Sequence, residues 1–135
     1  MNERLIIVED EKTLCESLKR VLARDGYEVD TFDTAEAALK SVEDASYDLV
    51  ISDITLPGID GIELLRRIKE RFPEQIVIII TAYASIETAV GALRAGAYDY
   101  VTKPIIHEEI RRIVRNALRE RSLRAENIML RKLGT

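Results

Sequence analysis

Four places in this sequence hold residue types suited to handling a phosphoryl group, and each follows directly on a short apolar run: Glu9-Asp10-Glu11, Asp53, Thr81-Ala82 and Lys103-Pro104. Carboxylates gathered at one spot repel one another and repel phosphate, so a cluster drawing on Glu9, Asp10 and Asp53 calls for a compensating cation. Ligands that are all oxygen select a hard ion. Mg²⁺ suits the set, because it commonly takes one or two carboxylates, keeps waters and completes its octahedron with phosphate oxygens. In-line phosphoryl transfer demands mainly positioning and stabilisation of charge on the equatorial oxygens. The ion, the Lys103 ammonium and the Thr81 hydroxyl can each take part of that charge. A carboxylate is also a nucleophile toward phosphorus, giving an aspartyl-phosphate, and Asp53 is the candidate acceptor. Singly, each residue has a plainer reading: Asp10 and Asp53 as turn or capping residues, Thr81 as a strand terminus, Lys103 as a surface charge beside a turn proline. Their joint appearance at four strand ends is what selects the chemistry.

The elements that must bring them together are five apolar runs, at residues 4–8, 28–32, 49–52, 76–80 and 98–102, each followed by a stretch with helical spacing. That alternation predicts an α/β fold, a parallel sheet covered by helices on both faces. In such open sheets ligands bind beyond the carboxyl ends of the strands, which is where all four places fall. Runs one, three and four are apolar throughout, as strands buried on both faces require, whereas Glu28-Val29-Asp30-Thr31-Phe32 alternates like an edge strand. The helices carry their own punctuation. Thr13 with Glu16, and Asp60 with Glu63, read as capping boxes; Thr34 and Ser85 read as caps of the second and fourth helices; Gly26 and Gly96 read as stops. A fifth helix starts near His107 and meets no Gly or Pro before Gly134, so its pattern persists for about 25 residues, roughly 40 Å. That is more than one sheet can cover.

Composition narrows the class. With 47% hydrophobic and 33% charged residues in 135, the chain has the mixture of one globular domain with an appendage. The longest wholly apolar run, residues 76–80, is far too short to span a bilayer, and no export signal opens the chain, so a cytoplasmic location is expected. Cys15 is the only cysteine and lies where a helical pattern wants an apolar residue. Charge is uneven: residues 1–104 hold 12 Lys+Arg against 20 Asp+Glu, and residues 105–135 hold 8 against 4. The basic tail lacks interleaved aromatics or a second helix after a turn, which argues for a solvated helix face over a nucleic-acid surface. His107 has no partner histidine or second acid and reads as a capping or surface residue.

Taken together, Val8-Glu9-Asp10-Glu11, the block Asp48-Leu49-Val50-Ile51-Ser52-Asp53-Ile54-Thr55-Leu56-Pro57-Gly58-Ile59-Asp60-Gly61, Thr81-Ala82 and Thr102-Lys103-Pro104 resemble the receiver domain of two-component response regulators across roughly residues 4–120. The resemblance implies a flavodoxin-like, CheY-like doubly wound sheet of five parallel strands in order 2-1-3-4-5, with an extended C-terminal helix. It implies that Asp53 takes phosphate from the phosphohistidine of a sensor histidine kinase, and that Glu9, Asp10, Asp53 and the backbone carbonyl of Thr55 organise Mg²⁺. Thr81 and Tyr100 would act as the switch pair, and Lys103 would pair with a phosphate oxygen. Glu9 stands where many members have aspartate, which makes Asp10 the firmer ligand. Thr55 and Tyr83 occupy positions that in similar domains line the path of the hydrolytic water. Such a domain is a phosphoacceptor that catalyses its own reactions and not a turnover enzyme.

Residues 81–90, 95–100 and 117–127 look like the NtrC-type subgroup, whose members continue into an AAA+ ATPase and a DNA-binding domain that control transcription. On that resemblance residues 1–120 form the receiver and residues 121–135 begin a helical linker towards an effector absent here. Leu118, Leu123, Ile128, Leu130 and Leu133 continue past the point where the sheet can cover them, so a homodimer through this helix is expected. Two other classes compete. A haloacid-dehalogenase-like phosphatase would place a second aspartate two residues after the nucleophile, where this chain has Thr55. A flavodoxin-type binding module would need a phosphate-cradling glycine turn and stacking aromatics, which the loops lack.

Overall fold

A computed structural model of the chain describes residues 2–82 and 86–133. Among them, five strands alternate with five helices: β1 (Arg4–Val8), α1 (Lys12–Arg24), β2 (Glu28–Phe32), α2 (Ala35–Asp44), β3 (Leu49–Asp53), α3 (Gly61–Arg71), β4 (Ile76–Thr81), α4 (Ile86–Arg94), β5 (Asp99–Thr102) and α5 (His107–Leu133). All pairings are parallel, in the order β2-β1-β3-β4-β5, so the doubly wound expectation holds. The edge position of the alternating run Glu28–Phe32 holds too. Strands β3 and β4 run one residue further than their apolar patterns, which makes Asp53 and Thr81 the last residues of their strands and not the first residues beyond them.

Alternate side chains of the central strands feed two cores. Ile6, Val50, Val77 and Ile79 pack with Ala38, Leu64, Leu65 and Ile68 of α2 and α3, and Ala92 of α4 joins them. Leu5, Ile7, Ile51, Ile78 and Ile80 pack with Leu18 and Leu22 of α1 and with Ile110, Val114 and Ala117 of α5. Each of these aliphatic side chains contributes roughly 1.5–3 kcal/mol through burial, which is why the continuous apolar runs become the middle of the sheet. Cys15 belongs to the second core; it is buried, and burial raises its thiol pKa.

Helix ends follow the punctuation in all but one described case. The Thr34 hydroxyl accepts from the Ala37 amide and the Asp60 carboxylate from the Glu63 amide. Gly26 and Gly96 take positive φ just past α1 and α4. Thr13, however, is not a cap: α1 already starts at Lys12, with Glu11 at the cap position and no side-chain bond there. The chain turns into the helix directly after β1, where the Glu9 carboxylate accepts the Glu11 amide at 3.0 Å. Ser85, Tyr83 and Gly134 lie outside the described residues.

Helix α5 has 27 residues, about 40 Å, and only its first part covers the sheet. Arg111 forks onto both oxygens of Asp25 at 2.9 and 2.8 Å, tying α5 to the end of α1. Leu118 packs against the second core and is not part of the surplus stripe; from residue 119 to residue 133 every residue is exposed.

Two glycines in helices have opposite surroundings. A Cβ at Gly61, the first residue of α3, would collide with the Asp53 carbonyl oxygen and stand 2.9 Å from both the Asp53 carbonyl carbon and the Ile54 Cα. Backbone cannot yield as a side-chain tip can. Among the described residues nothing lies within 4 Å of a Cβ at Gly91 in α4, so close packing does not explain that glycine. Gly61→Ala should lower stability by about 1–3 kcal/mol, and Gly91→Ala should raise it by up to about 1 kcal/mol. Denaturant midpoints moving in the same direction for both would contradict this account.

Candidate functional site

The site forms where the carboxyl ends of β1, β3, β4 and β5 come level. Parallel pairing sets the levels: Val8 lies opposite Ser52, Asp53 opposite Ile80, and Thr81 opposite Thr102. Glu9, Asp53, Thr81 and Lys103 therefore emerge within one residue of the same height. Asp10 follows Glu9 and faces solvent, whereas Glu9, Asp53 and Thr81 are 2%, 4% and 4% exposed. With Ser52, which is fully buried and donates to the Asp53 carbonyl at 3.0 Å, four polar residues are withdrawn from water at one end of the sheet, a placement that requires partners for each.

Lys103 supplies the main one. Its Nζ donates to Asp53 Oδ2 at 2.7 Å and lies 3.2 Å from Glu9 Oε1. The Lys103 backbone amide donates to the Thr81 carbonyl at 2.8 Å, so the lysine is registered to the end of β4 before Pro104, across a cis peptide. Partial burial pulls the ammonium pKa down, but the bonds to Asp53 and Glu9 outweigh it and the net shift is upward. Asp53 Oδ1 accepts the Thr55 amide at 3.2 Å, fixing the carboxylate from the loop side. Glu9 is the strained member. Burial lifts its carboxyl pKa to about 7, the Glu11 amide opposes that rise, and the Asp53 charge adds to it.

One carboxylate oxygen of each of Glu9, Asp10 and Asp53 lies within 4.8 Å of the others. Glu9 Oε1 is buried with no aligned hydrogen-bond donor among the described residues, despite the ammonium nearby. An all-oxygen set of like charges with an orphaned buried oxygen fits a hard divalent cation better than it fits the lysine alone. Thr55 is exposed, while Leu56 is buried in the first core and anchors that loop. Tyr100 sits on β5 opposite Ile79, half-buried against the α2–α4 core. His107, exposed at the start of α5, lies 3.4 Å from the Ser17 hydroxyl and stands apart from the acids.

Two residues of the site's frame escaped the reading of residue types. Gly61 sits against the Asp53 backbone and its amide donates to the Ile54 carbonyl at 2.8 Å, so α3 rests directly on the end of β3. The Asp60-Gly61 pair is the available signal: it closes the block that carries the resemblance and reads as a cap, but neither reading places Gly61 against the Asp53 backbone. Asp48, just ahead of β3, accepts Arg121 of α5 at 2.5 Å and the Arg4 amide at 2.7 Å, a long-range tie that no spacing announces.

Comparison with known proteins places this geometry. Residues 5–115 match the response regulator receiver domain family. The chain is 42% identical over 104 residues to the response regulator protein FleR of Pseudomonas aeruginosa, covering 77% of this chain and 22% of that protein. It is 39% identical over 123 residues to the regulatory protein AtoC of Escherichia coli, covering 91% of this chain and 27% of AtoC. It therefore spans about a quarter of the length of these relatives, and the DNA-binding transcriptional regulator NtrC of Escherichia coli is matched in the same way, at 37% identity. Among solved structures, a receiver domain protein from Methanospirillum hungatei superposes with a TM-score of 0.88 at 33% identity, covering 92% of this chain and 99% of that one. The beryllofluoride-activated NtrC4 receiver domain dimer does so with a TM-score of 0.84 at 33% identity, covering 87% and 98%. Matched over most of its length, the chain belongs to the response regulator receiver domain family, with relatives of the NtrC-like kind.

Proposed function

We propose that Asp53 accepts a phosphoryl group from the phosphohistidine of a sensor histidine kinase, and that this switches the domain to control a transcription-activating output. The observation that carries the reading is the Lys103 ammonium held between Asp53 and Glu9, a cation pre-placed against the carboxylate at the end of the middle strand. An Asp53 oxygen attacks phosphorus in line, the N–P bond of the phosphohistidine breaks, and the imidazole leaves with its electron pair. Lys103 then exchanges its bond to Asp53 for one to a phosphate oxygen, and Thr81, at the end of the neighbouring strand, draws in beside it. Bound Mg²⁺, held by Asp10, Asp53 and the Thr55 carbonyl with Glu9 behind them, would neutralise charge on the equatorial oxygens. Tyr100, half-buried on β5, follows the inward movement of Thr81. The domain is a phosphoacceptor that promotes its own phosphorylation and dephosphorylation; it has no turnover substrate of its own.

Among the described residues no helix is long and apolar enough to cross a membrane. We place the protein in the cytoplasm, where kinase and target meet. Residues 121–135 begin a helical linker to an effector, in NtrC-like relatives an AAA+ ATPase followed by a DNA-binding domain, and the receiver itself contacts no nucleic acid. Two copies pair through the extension of α5. Supporting this, Leu123, Ile128, Met129, Leu130 and Leu133 are all large, apolar and 49–78% exposed, and a lone helix of this kind is marginal in water without packing.

Asp53→Asn should keep the fold and lose all uptake of phosphoryl groups from a small phosphodonor with Mg²⁺. Intact mass after incubation reads this directly, and a one-phosphoryl gain in the variant would end the proposal. Truncation after Glu120 removes, among the described residues, only exposed ones, so it should give a monomer by sedimentation that still gains one phosphoryl group. A third outcome concerns the cost of the empty pocket. The Glu9 carboxyl, raised from 4.5 to about 7, holds a proton in the folded chain that the unfolded chain has already lost. Stability of the metal-free protein therefore falls as pH rises through that window, and the loss is complete above it. Glu9→Gln should be more stable than the parent at pH 8 with chelator, on the order of 1–3 kcal/mol, and the difference should shrink towards pH 5. Equal unfolding midpoints at pH 8 would show that the buried charge is not destabilising.

A further inference from the structure

Apolar packing of α5 against the sheet ends at Leu118, yet the helix runs on to Leu133 with every residue from 119 onward exposed. A helical stretch of that length without packing is marginal in water, so its course depends on whatever polar contacts reach back to the domain. Two arginines about one turn apart do so. Arg121 Nη1 donates to Asp48 Oδ1 at 2.5 Å and to the Asp48 carbonyl oxygen at 3.2 Å, and Arg124 Nη1 lies 3.6 Å from Glu74 Oε2. Asp48 just precedes β3 and Glu74 precedes β4, so both acids lie at the amino ends of neighbouring strands, the opposite end of the sheet from Asp53 and Thr81.

The two pairs are unequal. Asp48 is held before the arginine arrives: its other carboxylate oxygen accepts the Arg4 amide of β1 at 2.7 Å, and its side chain is 28% exposed. A guanidinium that meets a carboxylate already positioned by backbone gives up less freedom per bond than one that must also order its partner. Glu74 and Arg124 are 84% and 71% exposed, and a pair so open to water contributes little. Glu74 does stand on a firm loop, because the Lys69 ammonium donates to the carbonyls of Pro73 and Gln75 on either side of it, at 2.6 and 2.9 Å. Asp48 is therefore the anchor and Glu74 a guide. Space beside the helix gives the anchor its importance. A groove of about 520 Å³ lies between the helix and Glu3 and Tyr27, another of about 480 Å³ lies between it and Ile76 and Tyr98, and Arg121 borders both. With a groove on each flank, the helix has room to swing once Arg121 lets go.

We propose that Arg121 and Asp48 form a clasp that sets the direction in which α5 leaves the domain, and that opening the clasp frees residues 119–133 while leaving the domain and its acidic site intact. The clasp lies within one chain and does not depend on pairing between copies. Its hold is ionic, so salt releases it. The test is the distance between two spin labels in the full chain, at Lys40→Cys on α2 and Asn127→Cys on the extension, both exposed, with the buried Cys15 unlabelled and the labelled chain diluted into unlabelled chain. The parent should give one narrow distribution. Arg121→Gln should make it at least roughly two-fold wider, as the unanchored stretch frays and swings, and salt at about 1 M, where screening acts within about 3 Å, should do the same to the parent. Glu74→Gln should widen it less than Arg121→Gln, and Arg119→Gln, one turn away on the same exposed stretch, should leave it unchanged. The denaturant midpoint and phosphoryl uptake of Arg121→Gln should match the parent, which separates a residue that aims the helix from one that merely stabilises the fold. An unchanged distribution in Arg121→Gln, equal widening in Arg119→Gln, or a lowered midpoint in Arg121→Gln would overturn the clasp.

Discussion

The structure turns on a single ammonium group. Two carboxylates, Glu9 and Asp53, are withdrawn from water at the end of an aliphatic sheet, and Lys103 alone among the described side chains is in ion-pair reach of both. Coulomb repulsion between neighbouring acids in a poorly solvated place is large compared with the few kcal/mol that hold a domain together. The arrangement tolerates it only because the ammonium lies between them, and even so Glu9 is left half-satisfied, with one buried oxygen lacking an aligned donor. On the proposed function, that residual tension would be relieved by a divalent cation.

Holding such a cluster demands rigid surroundings, and each comes from hydrophobic burial at some distance. The heights of the four strand ends follow from the parallel register, itself set by which aliphatic side chains reach which core. The lysine is placed by its own amide on the end of β4, the Asp53 carboxylate by the Thr55 amide, and the backbone behind it by α3 resting on Gly61. Glu9 serves two tasks at once, since its second oxygen caps the entry to α1. A change in the charge of that residue is therefore transmitted to a helix start as well as to the acceptor.

Most of the fold was legible because periodicity is a direct consequence of burial. The runs at residues 4–8, 49–52 and 76–80 are apolar without alternation, and only a strand covered on both faces leaves that trace. The site residues were legible because strand ends in an open parallel sheet are adjacent wherever the strands themselves are, so Glu9, Asp53, Thr81 and Lys103 could be gathered from one-dimensional information. The Thr13–Glu16 spacing fits a capping box, but the helix starts one residue earlier, at Lys12, beside the Glu11 amide that Glu9 accepts. The tie from Arg121 to Asp48 joins residues far apart in the chain, and nothing in local spacing encodes it. Leu118 was assigned to the exposed stripe because the pattern shows where apolar residues recur but not where the sheet ends.

Asp53 belongs to β3, the middle strand of five, bonded to a neighbour on each side and shielded by a core on each face. Such a strand loses its ladder only when the whole sheet comes apart, so the Asp53 backbone keeps its position through every fluctuation short of global unfolding. At the periphery lie β5, an edge strand of four residues, and the loop that begins at the exposed Thr55. On the proposed function, a covalent signal on Asp53 would be written on the most enclosed strand of the sheet, and loops at the sheet's edge could vary without disturbing the geometry of the carboxylate that carries it.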